Sequence, residues 1–87
     1  MVKLVHEVWE DLSNDSVAMF VRGAKNWRAT LSPQARMIRT FEAESVFEAF
    51  RTHNRLMGWG EWSPPEGMED EPYDDSDKWP KEARSGI

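Results

Sequence analysis

The segment Ser45-Val46-Phe47-Glu48, followed ten residues later by Gly58, constrains this chain more than any other feature. Ser-x-x-Glu is a capping box, in which a hydroxyl and a carboxylate satisfy backbone N–H groups that a helix start leaves unpaired. Gly58 stands where a left-handed C-terminal cap belongs. Between them Val46, Ala49, Phe50, His53, Leu56 and Met57 recur at helical spacing, with Glu48, Arg51, Thr52 and Arg55 on the opposite face. Glu48 precedes Arg51 by three residues, the order that favours an intrahelical ion pair. The spacing predicts an amphipathic helix over residues 45–57. A helix of this length is marginal alone in water, so the rest of the chain must supply a surface for its apolar side.

The upstream sequence offers strands for that purpose. VKLVHEVWEDL, residues 2–12, fits two periods. At period 2, Val2, Leu4, His6 and Val8 share one face and Val5 and Trp9 the other; at period 3.6, Leu4, Val5, Val8, Trp9 and Leu12 oppose Lys3, Glu7, Glu10 and Asp11. Three valines and a tryptophan favour strand, and Glu10 and Asp11 would oppose the dipole at a helix C-terminus. Strand is the expectation; helix stays open as the alternative. Ser13-Asn14-Asp15-Ser16 is a turn cluster, and residues 17–21 form a short apolar strand ended by Gly23, which together predict a hairpin. Asn26 suits the cap of a short helix over 27–31, with Trp27 and Leu31 on one face, and Pro33 ends it. Residues 36–42 alternate as a third strand, with Ala35, Met37 and Phe41 on one face and Ile38 and Thr40 on the other.

The predicted fold is therefore α+β in the order ββαβα: a small antiparallel sheet, a short helix, and one main helix packed on one sheet face. The other face, carrying Val5, Trp9, Ala18, Phe20 and Ile38, would be an apolar patch suited to dimerisation or partner docking. Eighty-seven residues make one domain at most, burying only about two-thirds of the unfolded surface. That domain is expected over residues 1–63. Beyond it the composition changes. Four of the five prolines lie in 64–80, and residues 60–87 carry a net −6 against +1 for residues 1–59. Segment 64–87 reads as an acidic tail, largely disordered or loosely attached, with Tyr73 and Trp79 as single anchors that could pin it.

Three motifs, HEVWED near the start, TFEAESVFEAF in the middle and GWGEW after the helix, resemble a group of short, uncharacterised bacterial proteins. The resemblance covers residues 5–63 and leaves the acidic tail outside. It implies a small α+β unit and a strand at HEVWED. It carries no activity, cofactor or catalytic residue.

Function classes narrow by exclusion. No cysteine is present, which removes disulfides, thiolate nucleophiles and Cys-based zinc sites. The longest apolar run is residues 17–21 and no basic-then-apolar leader opens the chain, so no membrane partner is expected and the location expected is cytoplasmic. His6-Glu7-x-x-Glu10 would make a metal pair on a helix, but on a strand His6 and Glu10 stand about 13 Å apart. His53 falls on the apolar side of the main helix and reads as a core-margin histidine. Glu7, Glu10, Asp11, Glu42 and Glu44 read as exposed strand residues and arginine partners, since a chain this small leaves little room for an acid–base pocket. Arg28, Arg36, Arg39, Arg51 and Arg55 could gather into a basic patch, but +1 over the body is too little for nucleic acid, and salt bridging is the expectation. No catalytic residue, metal ligand or cofactor is assigned.

The five tryptophans are the surplus. Trp59 and Trp62 flank Gly60-Glu61 and lead into prolines, either as a strap that folds back over the open side of the sheet or as a docking surface. The reading reached is a non-catalytic protein–protein interaction module, possible as a homodimer, with Trp9, Phe20, Trp59, Trp62, Tyr73 and Trp79 as the partner-binding candidates. Two alternatives stand beside it: an acidic inhibitor, antitoxin-like or phage-type effector whose tail occupies a basic surface, and a small metal binder or enzyme using His6 and His53.

Overall fold

The computed structural model describes residues 2–13, 15–24, 31–76 and 78–84. Its elements in chain order are β1 (Leu4–Asp11), β2 (Ser16–Val21), β3 (Arg36–Ala43), α1 (Val46–Met57) and a 3₁₀ turn (Lys81–Ala83). The strands form one antiparallel sheet in the order β2-β1-β3. The molecule is thus α+β. Segment 2–12 resolves as strand: Leu4, His6 and Val8 are buried while Val5, Glu7 and Trp9 are only partly so, the period of 2 that a one-sided sheet imposes. The short helix expected over 27–31 lies, apart from Leu31, outside the described residues, as does Arg28; Leu31 sits in a bend.

Register explains one departure from the predicted faces. β1 pairs His6 with Phe41 and Val8 with Arg39, then Trp9 with Met37, so Ile38 is an extra residue opposite the Val8–Trp9 step. A bulge of this kind turns the following side chains over. Met37 therefore lies across from Trp9 rather than on the face of Phe41, and it is 46 % exposed. Alternation read along β3 alone could not register the extra residue.

The sheet face carrying Leu4 and His6 is covered by two pieces of chain. α1 packs on β3, and the 3₁₀ turn packs on β1. The buried cluster unites Leu4, Ala43, Ala49, Tyr73 and Ala83, with Val2, Met19, Val21, Phe41, Val46 and Trp79 against it. Tyr73 and Ala83 belong to the segment expected to be loose. Its ladder to the body is short but specific: bridges join Leu4 to Arg84 and Ser45 to Pro72, Tyr73 N–H donates to the Glu44 carbonyl (2.9 Å), and Val46 N–H donates to that of Glu71 (3.1 Å). A boundary at residue 63 divides residues that pack together. The reason is area: one 12-residue helix cannot cover three strands, and Tyr73, Trp79 and Ala83 supply the remainder.

Both helix ends follow the sequence, with one addition. Ser45 Oγ accepts from Glu48 N–H (3.1 Å), and Gly58, at φ 74°, closes a Schellman-type end in which Trp59 N–H reaches the Asn54 carbonyl (3.0 Å). The Glu48 carboxylate accepts from Glu44 N–H (2.9 Å), one residue before the cap. Asp70 reaches in from the tail and accepts from Phe47 N–H (2.9 Å). The first three N–H groups of α1 thus bond Glu71, Asp70 and Ser45 in turn. A carboxylate at a helix N-terminus is also attracted by its positive pole, which gives Asp70, in the cluster Glu69-Asp70-Glu71, a structural purpose.

Candidate docking site

Two histidines and six aromatic residues carry the sequence-level site hypotheses, and the structure distributes them over three places. His6 is in the core, 1 % exposed, stacked on Phe41 with ring centres 5.2 Å apart. Its Nδ1 lies 3.0 Å from the Leu4 carbonyl and its Nε2 2.8 Å from the Tyr73 hydroxyl. A carbonyl only accepts, so Nδ1 carries the proton and Nε2 accepts from the phenol. Burial holds the His6 pKa below its ordinary value, which keeps the ring in this neutral form. Both nitrogens are therefore spent on the fold. Tyr73 is buried as well, its pKa pushed up to about 12 chiefly by burial, and its ring meets Trp79 edge-on at 4.7 Å. Tyr73 is a core residue, and Trp79 is its partner.

The second place is the sheet face opposite the core. Glu7 joins the Trp9 indole N–H (3.0 Å) and the Arg22 guanidinium (2.8 Å). Trp9 and Phe20 are each partly buried and engaged within the chain. Asp11 is not an exposed strand acid: it is 1 % exposed and accepts from Ser13 N–H, Ser32 N–H and the Ser32 hydroxyl, tying the hairpin turn to the approach to β3. Glu7 and Glu10 do pair with arginines, Arg22 and Arg36. Arg39 instead donates to the Leu56 carbonyl at the end of α1 (2.7 Å).

The third place is the outer side of α1, where the exit segment turns back. Trp62 stacks on Phe50 (5.2 Å, 17°) and meets Phe47 edge-on (5.3 Å). The strap thus lies on the helix and not over the open side of the sheet. Phe47, absent from the predicted apolar stripe, is buried beneath it, whereas Leu56 from that stripe is 45 % exposed. Trp59 is 57 % exposed and sits edge-on to His53, whose Nδ1 is buried without a hydrogen-bond partner among the described residues. Burial, then the Arg39 charge, lower the His53 pKa.

Beside Trp62 opens a cavity of about 740 Å³, lined by Arg51, Arg55, Gly58, Gly60, Glu61 and Trp62. Arg51 and Arg55 project one helical turn apart, and the Arg51 guanidinium carbon is 6.0 Å from the Phe47 ring centre. Among the described residues neither arginine forms an ion pair. The chain matches no family model, no curated protein and no solved structure. Among the described residues no group of three or more His, Asp or Glu is placed to hold a metal ion, and no helix is long and apolar enough to cross a membrane.

The sequence offered Trp59 and Trp62 as either a strap over the sheet or a docking surface, and assigned Arg51 and Arg55 to salt bridges. The missed signal was a competition. The Glu48 carboxylate turns to the Glu44 N–H, which the rigid helix start holds in place, while Arg51 keeps its hydration and lies towards the Phe47 ring.

Proposed function

We propose that this chain is a non-catalytic protein-docking module whose contact surface is the outer side of α1 together with the exit segment Gly58–Trp62. One observation carries the reading: a half-buried tryptophan, Trp62, and two arginines without carboxylate partners among the described residues line one groove, and the exposed Trp59 stands between its lining residues Gly58 and Gly60. Tryptophan and arginine are the side chains most often found as interface anchors, because each combines a large contact area with a polar or charged tip. The apolar face of the sheet supports docking less well, since Trp9 and Phe20 already have contacts within the chain. A second copy of this chain is one partner such a surface admits.

The tail-borne effector reading has weaker support. The Asp70 carboxylate and the Glu71 carbonyl are committed to the start of α1, and the Glu71 carboxylate pairs with Lys78, so part of the acidic segment holds the fold together. The histidine-based reading is weaker again, because both nitrogens of His6 are occupied.

The test is quantitative capture from the native host with the full chain and with Trp59→Ala/Arg55→Glu, both checked for an unchanged thermal transition. A protein retained by the full chain and reduced at least roughly tenfold by the double substitution supports the reading. Equal retention by both chains sinks it.

A further inference from the structure

Resting on that docking reading, we infer that the groove takes an extended acidic peptide segment, with two carboxylates two residues apart and an apolar side chain beside them. The chain has 16 acids to 11 bases, yet Arg51 and Arg55 have no acid partner among the described residues, and Glu48, the acid of the same helix, is turned to Glu44 N–H. Arginines one helical turn apart stand roughly 6 Å from each other at Cβ. Carboxylates at i and i+2 of an extended chain project from the same side about 6.7 Å apart, which matches that spacing. Trp62, which lines the groove and is held flat on Phe50, offers its ring to an apolar or aromatic side chain, and the exposed Trp59, between the lining residues Gly58 and Gly60, offers a second to a residue that flanks the groove.

A single-stranded nucleic acid would present anions at similar spacing, but its charge continues beyond the groove in both directions. Glu61 lines the same groove, and residues 60–87 carry a net −6, so a continuous polyanion meets repulsion that a two-carboxylate segment largely avoids. The groove volume of about 740 Å³ likewise suits a few residues of peptide and not a long strand.

The experiment is fluorescence anisotropy on the full chain with a labelled octapeptide that carries two aspartates separated by one residue and a neighbouring phenylalanine. Controls are the same peptide with asparagine in place of aspartate, and a labelled decathymidine. The acidic peptide should bind at least roughly tenfold tighter than its neutral control, and weaken at least as much with Arg51→Gln/Arg55→Gln or on raising salt from about 50 to about 500 mM. Trp59→Ala should also weaken it. Equal binding of the neutral peptide, still lost with Trp59→Ala, overturns the acidic occupant while keeping the docking reading. Insensitivity of every peptide to Trp59→Ala and to Arg51→Gln/Arg55→Gln overturns both. Decathymidine binding more tightly than the acidic peptide, and lost with the arginine substitutions, replaces the peptide with nucleic acid and overturns the inference.

Discussion

At the scale of single residues, the core is held by polar groups that a hydrophobicity pattern cannot assign. His6 sits at an inward strand position by period, but while one of its bonds reaches only to Leu4, the other spans sixty-seven residues to Tyr73. Its titration has a definite sign. Burial lowers the pKa of His6 in the folded state, opposed in part by the Leu4 hydrogen bond and the Glu48 charge; His53 is lowered by burial and by Arg39. Below the ordinary value of 6.5 the unfolded chain binds protons that the folded chain refuses, so stability is full above pH about 6.5 and falls as pH drops through the folded pKa values. Thermal melts at pH 7.5 and at pH values between about 6.5 and 5 should show a falling midpoint before most carboxylates titrate, and a flat profile there would contradict the neutral His6. Tyr73 adds an alkaline edge: with its pKa at about 12, stability should fall as pH rises above about 10. Removing the phenol oxygen alone, Tyr73→Phe, strands a buried imidazole nitrogen and should cost about 1–3 kcal/mol in denaturant unfolding.

At the scale of elements, α1 is capped from two places in the chain. Ser45 supplies the local half, and Asp70 the distant half. Ser45→Ala should cost about 1 kcal/mol, as such caps do, and Asp70→Ala a comparable amount despite lying twenty-three residues away from its partner Phe47. Amide exchange of Phe47 and Glu48 reads each cap separately: Asp70→Ala should accelerate Phe47 more than Glu48, and Ser45→Ala the reverse. Equal acceleration in both variants would remove the division of labour. β3 shows the converse, a local pattern that misleads. Its bulge at Ile38 depends on which residue β1 presents across the ladder, and that register is a property of the pair.

At the scale of the whole molecule, the acidic segment is the second layer over the sheet. α1 covers β3, and the 3₁₀ turn with Tyr73 and Trp79 covers the rest of that face. A chain ending at residue 63 loses Tyr73 and Ala83 from the buried cluster along with two of three bonds to the start of α1. Loss of one such aromatic costs about 3–5 kcal/mol, against a total of roughly 5–15 for a domain. The truncated chain should therefore lose cooperative unfolding followed by circular dichroism, and retention of a sharp transition near the native midpoint would show the tail to be dispensable. Net charge alone pointed the other way. Sparse apolar residues and clustered acids read as a solvated tail, because composition averages over a segment while two or three well-placed contacts decide whether it docks.

The sequence by itself determined the helix and its two ends and pointed to three antiparallel strands, with residues 2–12 open between strand and helix, because capping chemistry, glycine at positive φ and side-chain periodicity act over a few residues. It also pointed to Trp59 and Trp62 as the unexplained surplus. Only the tertiary structure decided that Asp70 caps α1, that Tyr73 completes the core through His6, and that Arg51 and Arg55 stand beside Trp62 with no ion pair among the described residues. Each of these depends on groups far apart in the chain meeting with one geometry. Short-range rules carry no information about which distant group reaches a given N–H first, and the choice of Glu48 between the Glu44 N–H and Arg51 set the character of the candidate site.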